Sequence, residues 1–588
     1  MKYSDQLAIW LVELGYTHCF FVAGGNIMHL LESCSNRLKC IPVIHEVAAG
    51  IAAEYFNQVS PGSRAFALVT AGPGMTNIVT ALAGAFLESR ELLVIGGQVK
   101  VTDLARGAVR QRGIQEIDGV SIARPITVKS VSIDTVLDRA AFSCIAEAGS
   151  FGRKGPVFLE IPLDIQGSKI DPEILNQTPV HRPGNIFQPI ADSTLQHVAN
   201  LLRNAQRPVI LLGGGVSRET SSMLLSRLEE IGIPIMTTWN GIDRVPESSP
   251  VFLGRPNTWG QRSANLLLQQ SDLLVALGTR LGLQQSGFNW QQFIPKGHIV
   301  QVDCDSAELT KGHPHVGTPI CGDANLVLQF LTAQPEYPDY RLWLQFCRSV
   351  REAIPLNDPA NRTGEGFVSP YDFCLKLSAL CTPEDVIIPC SSGSANTVMM
   401  QTFLVKQGQI VFNDKGLASM GYGLSGAIGA AIAANGRRTI LVEGDGGFTQ
   451  NLQELGTVSA NNLNLKLFLF DDDGYASIRM TQKNYFGGRY IGCDTSTGLG
   501  MPIWGKLFEA YGIPLQELRP GFETTPHFLD ALNGPAPAAF LVKIDPVQTY
   551  YPKISSRVTA SGSMESNPLH QMNPDLDEET AAAVLRYL

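Results

Sequence analysis

The stretch Thr439-Ile440-Leu441-Val442-Glu443-Gly444-Asp445-Gly446-Gly447 reads as an apolar strand running into a glycine turn that carries one acid. A second apolar run, Leu465-Lys466-Leu467-Phe468-Leu469-Phe470, leads into Asp471-Asp472-Asp473-Gly474-Tyr475, so Asp472 follows Asp445 by 27 positions. An amphipathic helical segment lies between them. The order is therefore strand, glycine loop, helix, strand, acidic loop. In a parallel α/β sheet both loops sit at the carboxyl ends of neighbouring strands, where ligands bind. Asp445 and Asp472 are then placed to share one hard divalent cation through oxygen. The backbone N–H groups of Gly446 and Gly447, opening a helix, suit phosphate oxygens. A metal bridged to a diphosphate is the simplest ligand for that combination.

Working outward, the same alternation covers most of the 588 residues. It predicts three α/β domains with doubly wound parallel sheets. The first spans residues 1–170, with strands such as Ala65-Phe66-Ala67-Leu68-Val69. A Pro-containing stretch, Asp171 to Pro189, reads as a linker. The second domain spans 190–333 and starts its pattern at Pro208-Val209-Ile210-Leu211-Leu212-Gly213-Gly214-Gly215. Gln334-Pro335-Glu336-Tyr337-Pro338 reads as a second linker, and the third domain spans 366–550. Residues 551–588 form a Ser-, Asn- and Pro-rich tail, read as a mobile closing segment. Leu68-Val69-Thr70-Ala71-Gly72-Pro73-Gly74 repeats the strand-to-glycine-loop design around Gly444, which points to a duplicated fold.

With 44% hydrophobic and 17% charged residues, the chain can bury large cores. A net charge of −9 argues against general binding to nucleic acid or anionic membranes. The eleven cysteines are scattered, without C-x-x-C spacing, as in a reducing compartment. No signal peptide or membrane-length apolar run is recognisable, so a cytoplasmic enzyme is expected.

In Val43-Ile44-His45-Glu46-Val47-Ala48-Ala49-Gly50, a strand ends at His45-Glu46 and a helix of small residues follows. Glu46 thus stands at a strand's carboxyl end. On its own it is better explained by the preference of acids for helix N-termini.

Together these segments resemble the thiamine-diphosphate-dependent enzymes of the acetolactate synthase and 2-oxo acid decarboxylase group, over nearly the whole chain. Gly444-Asp445-Gly446 matches that family's GDG, and Asp471-Asp472 falls on its Asn pair. Val69 to Asn77 is similar to its TSGPGxTN loop, and Gly155 to Asp164 to its GPVxxxxPxD signature. The resemblance implies that Asp445, Asp472 and the backbone carbonyl of Gly474 ligate Mg²⁺. It implies that Glu46 hydrogen-bonds the aminopyrimidine and promotes loss of the thiazolium C2 proton. Leu417 to Leu424 resembles GTMGFGLP, which puts Met420 under the bend of the cofactor and Ala418 beside its amino group. Gly393, Ser394 and Ala395, with Gly444, Gly446, Gly447 and Tyr475, would complete the cofactor site. Gly113 to Asp118 resembles AFQE, making Gln115 a donor toward substrate.

Departures from the family narrow the expected activity. No two histidines are adjacent, so the His-His pair that supports protonation in decarboxylases is missing. Thr481 stands at the specificity Trp of biosynthetic relatives, and Gln284 at the Arg that takes the acceptor's carboxylate. The resemblance therefore implies a carboligase that decarboxylates a 2-oxo acid, with pyruvate the first candidate. It would add the acyl unit to an aldehyde, ketone or 2-oxo acid. The alternative is a decarboxylase or C–C hydrolase using the same cofactor. FAD stays open, since some relatives bind it in the central domain and others use that domain as structure alone. The family also implies a homodimer or homotetramer in which Glu46 and Asp445 serve one cofactor from two chains.

Overall fold

The computed structural model describes residues 1–180, 187–558, 560–562 and 564–588. Part of the stretch read as the first linker, 181–186, lies outside the described residues. The chain forms three parallel sheets. The first contains β1 (Tyr16–Phe21), β2 (Lys39–Pro42), β3 (Arg64–Val69), β4 (Leu92–Gln98), β5 (Lys129–Ser132) and β6 (Pro156–Pro162) in the order β2-β1-β3-β4-β6-β5. The second contains β7 (Pro208–Leu212), β8 (Ile235–Thr237), β9 (Leu273–Leu277), β10 (His298–Asp303) and β11 (Thr318–Cys321) in the order β11-β10-β9-β7-β8. The third contains β12 (Val386–Ile388), β13 (Ile410–Val411), β14 (Thr439–Gly444), β15 (Leu465–Asp471), β16 (Leu515–Leu518) and β17 (Ala538–Lys543) in the order β13-β12-β14-β15-β17-β16.

The first and third sheets share one strand order, and the glycine loops at Gly72 and Gly444 both follow the third strand. The duplication suggested by the two loops is thus present in topology. In each sheet the order reverses between the first and third strands, and that switch point opens a crevice at their carboxyl ends. In the third sheet the crevice lies between the loops after β12 and β14.

The strands are continuous apolar runs because helices cover both faces. The small-residue helix Glu46–Val59 explains its own composition. It packs against Tyr422–Ala434 so closely that a Cβ on Gly429 would lie 2.0 Å from the Ala52 carbonyl oxygen. The first and third domains of one chain therefore share a continuous core. Across it, Arg90 pairs with buried Glu54 at 2.9 Å, and the Tyr422 hydroxyl donates to Glu54 at 2.5 Å.

Two segments differ from the sequence reading. Residues following the second linker form the helix Arg341–Ala353, whose Trp343, Phe346, Cys347 and Val350 pack into the central core. The described part of the tail is docked there too. Leu569 and Val584 are buried in that core, and Arg262 donates to the carbonyls of Met572 and Pro574. Short antiparallel pairs, β18 (Lys553–Ile554) with β21 (Met572–Asn573) and β19 (Ser556–Val558) with β20 (Met564–Ser566), hold the tail together. No helix among the described residues is long and apolar enough to cross a membrane.

Candidate active site

β14 and β15 are neighbours with Gly444 opposite Phe470, so the turns after them face each other. Asp445 and Asp472 are 1% and 4% exposed. Asp445 Oδ2 accepts the N–H groups of Asp472 at 3.2 Å and Gly474 at 2.9 Å, and Oδ1 accepts that of Gly446 at 2.6 Å. Burial, reinforced by the charges of Asp472 and Asp471, pushes the Asp445 carboxyl well above its ordinary range. Burial likewise pushes Asp472 up to about 7, against the pull of Arg479. A divalent cation between such groups reverses that preference and ionises both. Among the described residues no set of three His, Cys, Asp or Glu side chains surrounds a metal position. Two buried carboxylates are oxygen donors of the chemical type that Mg²⁺ takes.

The Asp471-Asp472 pair brings its own counter-charges. Asp471 pairs with Lys543, its register partner on β17. Asp472 pairs with Arg479 at 3.3 Å, and Arg479 also donates to the carbonyls of Asp472 at 2.5 Å and Asp473 at 3.0 Å. Neither cation was identified from the sequence. Lys543 lies far along the chain, and Arg479, on the helix Ala476–Tyr485, reaches back across the turn that follows β15.

The remaining cofactor candidates surround the same crevice. Gly393 opens the helix Gly393–Thr402, whose N-cap Ser392 makes no side-chain capping bond, so its first amides are free for a ligand. Gly393 has φ +75° and is exposed, while Ser394 is half-buried and Ala395 buried. A Cβ on Gly446 would fall 2.3 Å from the Tyr475 ring, so only glycine lets that ring close over the turn. A Cβ on Gly447 would come 2.9 Å from Glu443, whose buried carboxyl is pushed up to about 8 by desolvation. These features fit a diphosphate-bearing cofactor with its metal.

Ala418 has φ +56°, and Asp414 Oδ1 accepts the N–H groups of Leu417 and Ala418 at 3.2 Å each. Met420, two residues on, is half-buried rather than sealed in the core.

At the first sheet, β2 ends at Pro42, three residues earlier than the sequence reading had it, and Glu46 begins the following helix. Glu46 is 8% exposed and accepts a hydrogen bond from Asn77 Nδ2 at 2.9 Å. Glu454 of the third domain accepts the N–H groups of Ile44 and His45 at 3.1 and 3.0 Å, anchoring the turn ahead of Glu46. Asn77 lay within a quoted motif without a role, and Glu454 carried no local signal. Gln115 is exposed with φ +63°, and its carbonyl oxygen would be 2.5 Å from a Cβ on Gly72. Gln115 and Glu46 thus gather at one end of the helix Pro73–Leu87. Gln115, Ala418 and Asp473 are among the non-glycine residues with left-handed backbone.

Family models agree with this geometry in three places. Residues 1–122 match the thiamine pyrophosphate enzyme N-terminal TPP binding domain, 195–331 the central domain, and 391–542 the C-terminal TPP binding domain. The chain is 31% identical to a probable acetolactate synthase large subunit of Methanocaldococcus jannaschii, covering 93% of each chain. It is 28% identical to acetolactate synthase isozyme 1 large subunit of Escherichia coli, covering 94% of this chain and 95% of that one. It is 31% identical to an acetolactate synthase of Mycobacterium bovis, covering 85% and 81%. With its two glycine loops, its acid pair and these matches, the chain belongs to the thiamine pyrophosphate enzymes, within their acetolactate-synthase-like carboligases.

Proposed function

We propose that this chain uses thiamine diphosphate and Mg²⁺ to decarboxylate a 2-oxo acid, pyruvate first among candidates, and to join the acyl unit to a carbonyl acceptor. The observation that carries this reading is the buried Asp445–Asp472 pair after the neighbouring strands β14 and β15, next to the switch point of the third sheet and the helix N-terminus at Gly393. Asp445, Asp472 and the Gly474 carbonyl would hold Mg²⁺, and the amides near Gly393 and Gly446 the diphosphate. When bound, the cofactor supplies a nucleophilic carbon for the donor's carbonyl. Glu46, oriented by Asn77, holds and returns a proton at the aminopyrimidine ring. Gln115 offers an amide donor to the reacting carbonyl.

The geometry favours a site shared by two chains. Glu88, at the C-terminal end of the helix Pro73–Leu87, accepts the N–H groups of Lys415 and Gly416, next to Ala418. Gln115 lies at the other end, against Gly72. At 1.5 Å per residue the helix separates them by about 22 Å. A second copy of the chain would bring Glu46 and Gln115 to Met420 and Asp445, which supports a homodimer as the smallest complete unit.

The central glycine turn supports a flavin-free assignment. Gly213 N–H donates to Leu277 and Gly215 N–H to Gly278, both at 2.9 Å, and Asn325 takes the Ser217 N–H at 2.8 Å. Arg244 donates to the carbonyls of Val216 at 2.5 Å and Gly214 at 3.4 Å. Groups that would meet a dinucleotide diphosphate are thus used within the protein. A visible flavin band in the purified protein would overturn this part.

The test is an NMR product assay with thiamine diphosphate, Mg²⁺ and ¹³C-pyruvate, with and without an aldehyde or ketone. Labelled acetolactate or a branched adduct is expected. Acetaldehyde alone would replace carboligation by decarboxylation.

A further inference from the structure

Lys553, on β18, is a half-buried cation without an acid partner among the described residues. Its Nζ lies 3.4 Å from Met480 Sδ, 5.9 Å from the centre of the Trp259 ring and 5.5 Å from that of Tyr551. Burial is the one influence on its ionisation, and it pushes the ammonium below its ordinary value. An amine placed this way is stabilised by ring faces and by whatever anion enters the open side. Three other cations of these elements are already matched. Arg479 is engaged by Asp472, Lys543 by Asp471, and Arg262 by Asp358.

The location ties Lys553 to the reaction site. Met480 follows Arg479 on the helix Ala476–Tyr485, whose preceding loop holds Asp472 and Gly474. The Thr481 hydroxyl donates to the Ser477 carbonyl at 3.0 Å, so this helix presents a short side chain there. On the other side, Ile554 N–H donates to the Thr258 carbonyl at 3.1 Å, and Thr258 N–H donates to the Gln284 carbonyl at 2.8 Å. One backbone relay thus joins the Lys553 strand to the residue that stands where an acceptor-binding Arg was expected. Gln284 is exposed and neutral, and cannot hold an oxyanion as a cation does.

We propose that Lys553 is the anion-binding residue of the acceptor subsite, taking a carboxylate or phosphate group carried by the carbonyl acceptor. The inference rests on the carboligase reading. It moves the missing positive charge from position 284 to the tail strand. A lysine is a point charge on a flexible stem, so it accepts either oxyanion without the planar fork that selects a carboxylate.

The test compares holoenzyme of the wild type, Lys553→Met and Lys553→Arg with pyruvate as donor. Matched acceptors are 2-oxobutyrate against 2-butanone, and glyceraldehyde 3-phosphate against glyceraldehyde. In Lys553→Met the ratio of KM for an anionic acceptor to that for its neutral counterpart is expected to rise about tenfold, with partial recovery in Lys553→Arg. The pair that responds identifies carboxylate or phosphate. An equal effect on both members of each pair, or a matching rise in the KM for pyruvate, overturns the assignment. If the wild type ligates neither these acceptors nor a second pyruvate, the carboligase reading falls, and calorimetry with 2-oxobutyrate and inorganic phosphate decides the site. Weaker binding of either probe to Lys553→Met upholds the anion site, and identical binding removes it.

Discussion

The guanidinium of Arg479 lies 3.3 Å from Asp472 Oδ1 and closes on the carbonyl oxygens of Asp472 and Asp473. It neutralises a buried acid and fixes the turn that carries it, including Asp473 at φ +67°. Losing one member of a buried pair costs about 3–5 kcal/mol because the other is left unmatched. Arg479→Met is therefore expected to lower the thermal midpoint in EDTA. Mg²⁺ with thiamine diphosphate should restore more stability than in the wild type, because the cation replaces the lost charge. Equal cofactor-induced shifts in both proteins would show that Arg479 does not compensate Asp472.

Asp445→Ala removes the proposed oxygen ligand and the acceptor of three backbone N–H groups. The expected outcome is loss of Mg²⁺-dependent binding of thiamine diphosphate in calorimetry. Wild-type affinity would rule out the assigned metal position.

Glu46→Gln keeps the shape of the side chain but not its charge. The protein should fold and bind cofactor while exchanging the cofactor's C2 proton far more slowly by NMR. Asn77→Ala removes the 2.9 Å bond that orients Glu46 and should reduce turnover by roughly tenfold, in line with one buried hydrogen bond. Unchanged exchange in Glu46→Gln would end the proton-transfer role.

Glu54 is fully buried, and desolvation, opposed by Arg90, pushes its carboxyl up to about 7. The folded state thus binds its proton more tightly than the unfolded chain does. The associated stability is complete below the ordinary Glu value and is lost as pH rises through about 7. Chemical denaturation from pH 5 to 8 should show stability falling in the wild type and a flatter profile in Glu54→Gln. Parallel profiles would place the titration elsewhere.

Local sequence determined a good deal by itself. Apolar runs ending in Gly444-Asp445-Gly446-Gly447 and Asp471-Asp472 specify neighbouring parallel strands, because only the carboxyl ends of such strands present turn amides and acids together. Glycine at 72 and 446 and the small-residue helix after Glu46 likewise announce close backbone approaches. The tertiary structure decided which distant groups answer those acids. Lys543 meets Asp471 through strand register, Arg479 turns back on Asp472, Glu454 anchors the turn before Glu46, and Lys553 arrives from the tail. Charge pairing and burial depend on separation in space. A linear chain shows spacing along itself, so residues tens to hundreds of positions apart carry no mark of their contact until the sheets and the docked tail bring them together.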